Sequence, residues 1–379
     1  MFTPLLAVGL LVAAFVGFNI GGSSTGVAFG PAVGSGTVRK TAAAALMTCF
    51  ALLGGWTVGR NVIDTLGGEI VPASEFTLAA SVIILFFVGS ALLISNLFGV
   101  PASTSMTAVG AIAGLGLASN SLQWAVMGRI VSWWLVAPVL AFWVCAVIGR
   151  YLYPYLDAWF GLDEATGLKA IATRTLVVGI GCYMAFSAGA SNVANAVAPL
   201  VGSGALSADA GVLLAGGAIG VGAFTIARRT LDTVGNDLTD LPLLAALIVE
   251  VVSASLITSL SQIGIPASLA VSATMCVVGL GWGRATRTTR LSDAAQAMRG
   301  DEPIADGASG VTLSPDYAGE QGGGGGAGDA VPPIGDEDSD ELGGTDLFDP
   351  AATGRVIVLW VATPTLSAVT SFVVFSVAP

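Results

Sequence analysis

A chain of 379 residues that is 54% hydrophobic and 10% charged, with a mean hydropathy of +0.83, carries far too little charge for a soluble globular domain, where about a quarter of residues are charged. The net charge is -11, but 14 of the 25 acidic residues fall between Arg284 and Gly354, so the charge belongs to one segment and not to the apolar body. There is no histidine, which excludes His-dependent catalysis, and the chain is read as a membrane protein that is not an enzyme and has no nucleic-acid partner. With two lysines, Lys40 and Lys169, and a pI near 4.3, the composition resembles that of proteins adapted to high salt.

In chain order, stretches long enough to cross a bilayer, about 20 residues at 1.5 Å rise, fall at roughly 2–20, 39–59, 76–98, 124–149, 170–188, 206–226, 241–262 and 354–377. The first is read as a retained helix and not a signal peptide, because no Lys or Arg precedes Arg39. Between these lie four shorter Gly- and Ser-rich stretches, 21–37, 101–119, 189–205 and 265–283, with the look of discontinuous or re-entrant helices. Non-helical backbone at membrane depth has to line a cavity or be buried in protein, so a binding site is expected beside them. Segment 284–353 differs in kind: it holds four arginines, the Gly run 322–326 and an acidic cluster around Asp336–Glu341. It reads as a disordered, charged spacer, with docking of a partner as the alternative. Cys49, Cys145, Cys182 and Cys276 stand singly in apolar runs with no metal-binding spacing and are taken as packing residues.

The chain repeats itself. Residues 21–36 (GGSSTGVAFGPAVGSG) align without gaps on 189–204 (GASNVANAVAPLVGSG) with eight of sixteen positions identical. At the same offset of 168, Arg60, Asp64, Thr65 and Gly67 match Arg228, Asp232, Thr233 and Gly235, and GVPAS at 99–103 matches GIPAS at 264–268 at offset 165. Three ordered blocks indicate duplication.

Orientation follows from the excess of Lys and Arg in cytoplasmic loops. If the arginine-bearing loop after residue 283 is inside, Arg228 and Arg229, Arg150, Lys169, Arg174, Arg39 and Lys40 also fall inside and Arg60 falls outside. The expected fold is an all-α polytopic membrane protein of two inverted repeats, each with five spanning helices plus a re-entrant segment, about ten to twelve membrane segments in all. Residues 1–149 form the first repeat, 150–169 a linker, 170–283 the main part of the second repeat, 284–353 a cytoplasmic loop and 354–379 the last span. Both termini lie outside the cytoplasmic membrane.

The polar residues of the repeated motifs suit a small oxyanion. Ser23, Ser24, Thr25 and Ser35 in the first half, with Ser191, Asn192, Asn195 and Ser203 in the second, offer hydroxyl and amide donors, and half-helix N-termini would add free backbone N–H groups and partial positive charge. Packing through small-x-x-x-small patterns is the competing reading. Ser103 and Thr104, with Ser268, follow prolines and read equally as helix caps or ligand donors. Glu250 lies inside an apolar span and is a candidate for cation coupling, against a structural hydrogen bond to a serine. Arg60 with Asp64, and Arg228 with Asp232, stand four residues apart and read as helix-end ion pairs or as gates. The run GSGTVRKT at 34–41 does not have the spacing of a phosphate-binding loop.

At these motifs the chain resembles the inorganic phosphate transporter (PiT) family of secondary carriers, whose signature is a duplicated GANDVANA-type motif followed by GSG. GASNVANAVAPLVGSG is a close match, GGSSTGVAFGPAVGSG a looser one, and GVPASTSM and GIPASLAV resemble the family's PVSTTH-type segments. The resemblance implies uptake of phosphate with Na+ or H+ as coupling ion, by inverted repeats that meet at a central site. The family's motif aspartate is Ser24 in one half and Asn192 in the other, and the last Asn of the first motif is Val27. Ser24, Asn192 and Glu250 therefore remain as candidates for the coupling site, and the coupling ion stays open. The expected function is secondary active phosphate transport by alternating access; a sulfate or other oxyanion permease, or a non-transporting anion receptor, are the alternatives. No organic cofactor is expected; the bilayer is the surrounding medium, and a homodimer is allowed.

Overall fold

The computed structural model describes residues 3–97, 103–160, 167–227, 242–288 and 350–377, and every regular element among them is helical. In chain order these are α1 (Pro4–Gly34), α2 (Lys40–Thr57), α3 (Gly59–Asp64), α4 (Leu78–Leu97), α5 (Thr104–Ala118), α6 (Trp124–Val147), α7 (Tyr153–Phe160), α8 (Leu168–Gly202), α9 (Ala208–Thr225), α10 (Leu243–Gln262), α11 (Leu269–Ala285) and α12 (Pro350–Val377). Among the described residues six helices are long and apolar enough to cross a membrane, seven if the bent pair α2–α3 counts as one span. Leu11, Trp124, Leu135, Val139 and Trp143 are exposed, as apolar side chains are where lipid is the solvent.

The duplication is written in the helix ends. Shifted by 168, α2 coincides with α9 and the end of α1 with the end of α8; shifted by 165, α4 coincides with α10 and the start of α5 with that of α11. The caps match as well. In α1 the N–H of Ser35 bonds to the Pro31 carbonyl and Gly36 turns away at φ +69; in α8 the N–H of Ser203 bonds to the Pro199 carbonyl and Gly204 turns at φ +71. Ser103 and Ser268 each cap a helix by accepting from the third N–H on, that of Met106 and of Val271, both at 3.3 Å.

Two of the expected interruptions are absent. Segments 21–37 and 189–205 do not form re-entrant elements: they continue 2–20 and 170–188 as the unbroken helices α1 and α8, of 31 and 35 residues. Their polar side chains need no break in the helix, because Ser23 and Thr25 donate to carbonyls of the preceding turn, Thr25 to Gly21 at 2.6 Å. The discontinuity lies in the stretch read as the plain span 39–59. There α2 gives way at Val58 to α3 and a π turn (Thr65–Glu69), with a 63° bend. Residues taken as the start of a linker carry α6 onward through a second π turn (Ile148–Leu152) into α7. The loop expected at 284–353 lies outside the described residues from 289 to 349.

The halves interlock by exchange. A Cβ on Gly189 of α8 would meet the carbonyl of Ala51 in α2 at 2.1 Å, and one on Gly21 of α1 would meet that of Ile219 in α9 at 2.0 Å. Each contact is the other moved by 168 with the partners swapped, the pattern of a two-fold relation in which residue i meets j and j meets i. The same exchange joins α5 to α12 and α11 to α6. Helices α1 and α8 also pack on each other, antiparallel: Gly9 lies against Leu200 and Phe29 against Gly181, so they cross near Ile20 and Ala190.

Candidate functional site

One turn beyond that crossing is a small cavity of about 50 Å³, lined by Ser23, Ser24 and Val27 of α1, Asn192 of α8, Thr104 of α5, and Ser268, Leu269 and Ala270 at the start of α11. By repeat offset, Ser24 is the counterpart of Asn192 and Thr104 that of Leu269. The cavity is thus assembled from equivalent pieces of both halves, at the place where the repeat-related helices α1 and α8 cross.

Its chemistry is that of donors. Helices α5 and α11 both begin at the cavity, and each leaves N–H groups of its first turn without a partner in the helix and the positive end of a dipole, roughly half a charge apiece. Among the described residues the hydroxyls of Ser24 and Thr104 and the amide nitrogen of Asn192 make no hydrogen bond to protein, and no carboxylate lines the space. Behind the wall, a buried network holds Asn192 in place. Asn195 Nδ2 donates to Asn192 Oδ1 at 3.2 Å and to Ser105 Oγ at 3.0 Å, Ser105 and Ser191 hydroxyls lie 3.2 Å apart, and Ser191 donates to the Ala267 carbonyl at 2.8 Å. That last bond ties α8 to the segment leading into α11, so the network fixes one helix start relative to the other wall. Among the described residues Asn195 Oδ1 is left buried without a partner, but its amide nitrogen and the two serine hydroxyls are bonded, and such a second layer restricts side-chain motion around a small ligand.

The expected site residues therefore separate. Ser23, Ser24, Thr104 and Asn192 meet at the cavity; Ser191 and Asn195 stand behind it; Ser103 is a cap. Thr25 is buried with its hydroxyl turned back on its own helix. Ser35 and Ser203 do not join them: they are C-cap residues at the far ends of α1 and α8, bonded to Ala32 and Leu200 carbonyls. The helix N-termini come from α5 and α11 and not from the motifs, which are mid-helix. Ser268, read equally as cap or donor, does both, since it caps α11 and lines the cavity, and Ser105 of the other Pro-Ala-Ser segment joins the network behind it; Pro101 itself lies outside the described residues. Arg60 does not pair with Asp64. Its guanidinium reaches Asp209 of α9 at 2.5 Å, both partly exposed, and lies over the Trp56 ring. Arg228 and Asp232 lie outside the described residues. Glu250 is buried in α10, apart from the cavity lining, and among the described residues the alternative to cation coupling, a bond from its carboxyl to a serine, does not form: Ser253 donates to backbone carbonyls.

A division of labour between cap and site is testable. Ser35→Ala and Ser203→Ala are expected to leave the KM for anion uptake within about twofold of wild type, since each removes a local bond at a helix end; a tenfold rise in KM in either would place those hydroxyls in the anion path.

Comparison with known proteins agrees with this geometry. The model of a family described as the phosphate transporter family matches residues 20–158 and 162–371. The sulfate permease CysP of Bacillus subtilis is 31% identical over 276 residues, 73% of this chain and 77% of that protein. A Haemophilus influenzae protein with the provisional name phosphate permease is 22% identical, over 73% of this chain and 88% of its own. A solved structure titled the sodium-dependent phosphate transporter has the same fold, with a TM-score of 0.68, 19% identity and 99% of each chain covered. With two matched blocks that span nearly the whole chain, this multi-pass membrane protein belongs to the phosphate transporter family.

Proposed function

We propose that the protein is a secondary transporter of a tetrahedral oxyanion, inorganic phosphate first, that works by alternating access between two inverted repeats. The observation that carries this reading is the cavity at the crossing of two repeat-related helices, lined by two helix starts and unengaged donors and by no carboxylate. The antiparallel packing of α1 on α8 supports inversion: if one crosses the membrane inward, its repeat partner crosses outward. The six long helices, the bent pair and the short apolar helices at 104–118, 269–285 and 361–377 would make ten spans, five per half, with both termini outside and the loop after residue 288 inside. On the face assigned outside, Arg60 and Arg129 are each paired with a carboxylate, Asp209 and Glu69, which leaves little net positive charge there.

Sulfate is the second reading. It is favoured by the sulfate permease among the relatives and by the cavity's lack of a carboxylate acceptor for the hydroxyl of hydrogen phosphate. Either dianion moving inward against 100 mV meets a cost of about 4.6 kcal/mol, at about 2.3 per charge, so uptake needs a coupled cation. Purified protein in liposomes should take up labelled phosphate under a Na+ or proton gradient, with excess unlabelled sulfate measuring the preference. Stronger competition by sulfate than by phosphate would transfer the assignment to sulfate; no uptake of either under any gradient would end the transport reading.

A further inference from the structure

Glu250 is the eighth residue of the 20-residue α10 and is 4% exposed. Among the described residues no hydrogen bond or ion pair engages its carboxyl group, and Oε1 is buried without a partner. A charged carboxylate in that position is expensive, and a fold that merely needed a buried side chain has no use for one. The molecule contains its own control. The position 165 residues earlier, in the matching helix α4, is Leu85, which is fully buried. The same architecture is thus filled by an apolar residue in one half and by an acid in the other.

The acid does not line the cavity but is connected to it by a rigid element. Ser253, one turn on from Glu250, touches Met184 of α8, and Asn192 follows Met184 by eight residues on that helix, about 12 Å at 1.5 Å rise. Among the described residues no second carboxylate, Cys or His side chain joins Glu250 in a group of three that could hold a metal ion. A proton needs one oxygen.

Around Glu250 the packed helices carry few other titratable groups. Near its level α8 has Cys182 and Tyr183, the latter bonded to Ser255, while Cys145 of α6 and Cys276 of α11 pack against the neighbouring Ile248 and Val249. Arg284 of α11 stacks on the Tyr153 ring near Leu244, where α10 begins. Arg60 and Asp64 flank α10 at its other end, where Asn61 bonds to the Gln262 carbonyl. Lys169 and Arg174 stand in the first turns of α8 and Arg129 in those of α6, and α1 contributes no titratable group.

We propose that Glu250 is the proton-binding site of the transport cycle: its carboxylate takes a proton from water on the side to which the cavity is open, and releases it on the other side with the anion. The O–H bond formed in loading is broken in release, and one proton crosses with each dianion, which halves the charge moved. The proposal rests on the transport reading.

Sulfate is the cleaner probe, because it carries no proton of its own near neutral pH. In liposomes holding the full chain and a trapped pH-sensitive dye, an acid-outside gradient of one pH unit should speed labelled sulfate uptake about tenfold, acidify the lumen as sulfate enters, and act equally with Na+ or choline present. Glu250→Gln, which mimics the protonated acid, should keep sulfate exchange and lose both the acceleration and the lumenal acidification. Acceleration of the Gln variant to the wild-type extent, or a wild type driven by a Na+ gradient and indifferent to pH, would overturn the assignment while leaving transport intact. Absence of sulfate and phosphate movement in the wild type would instead remove the transport reading itself. If the Gln variant loses its anion-dependent thermal stabilisation, Glu250→Asp decides: a shifted pH dependence of uptake supports the site, and an unchanged one refutes it.

Discussion

Asn192→Leu is expected to lower phosphate and sulfate uptake about a hundredfold while the protein stays folded in the membrane. The amide nitrogen of Asn192 is one of the few side-chain donors at the cavity, and Leu would place an apolar branch into a space of about 50 Å³. It would also strip Asn195 of one of its two acceptors, the bond to Ser105 remaining, and a buried donor left unpaired costs roughly 1–3 kcal/mol. A loss at the upper end of that range is about two decades in affinity. Because α8 is helical on both sides and the substituted side chain faces the cavity wall, the helix itself should persist. Ser191→Leu should have a comparable effect by a different route, since it removes the bond to the Ala267 carbonyl that positions the start of α11. The measurement is initial uptake in liposomes at matched protein content, with the thermal transition in detergent as the check on folding. Wild-type uptake in the Asn192 variant would mean that the cavity is not the anion site.

Gly189→Val is expected to do the opposite: to destroy the protein and not the site. A Cβ there would lie 2.1 Å from the carbonyl oxygen of Ala51 and 2.5 Å from its Cα, and backbone on a packed helix has nowhere to retreat. Overpacking typically costs about 1–3 kcal/mol and more where backbone must separate, and here α2 would be pushed off α8 at the interface that interlocks the two halves. Little monodisperse protein should survive extraction, with a transition well below that of wild type. Gly217→Val is the control: nothing lies within 4 Å of a Cβ at that position of α9, and its transition should match wild type. A Gly189 variant as stable as the Gly217 variant would refute the close contact.

These two substitutions divide a motif that looked uniform as a string of letters. In GASNVANA, Gly189 permits helix contact, Asn192 faces the cavity, and Ser191 and Asn195 brace it. Packing and binding are alternative readings of the motif; helix contact and cavity lining fall on different residues of it. Spacing cannot separate them, because residues three and four apart share a helix face whether that face meets a ligand or a neighbour.

Hydropathy, caps and repeat offsets were enough to identify a multi-pass helical bundle, the kinship of its halves and the Gly-Ser segments near its centre. These are local properties: an apolar run, a serine that bonds the third N–H along, and a glycine at positive φ act over a few residues and leave their mark in order. What the letters did not contain was how the halves meet. Small polar residues suggested broken helices at 21–37 and 189–205, yet hydroxyls that bond back to the preceding turn let α1 and α8 run unbroken, and the bend appeared at Val58. The helix starts that face the cavity come from Thr104 and Leu269, far in sequence from Ser24 and Asn192. They are brought there by α5 packing on α4 and α8, by α11 packing on α10, and by the bonds from Ser191 to the Ala267 carbonyl and from Asn195 to Ser105, within halves interlocked by the exchange of α1 onto α9 and α8 onto α2. That exchange depends on the fit of one helix surface to another across more than a hundred residues of chain, so the cavity, the second layer behind it and the isolation of Glu250 exist only once the tertiary structure has formed.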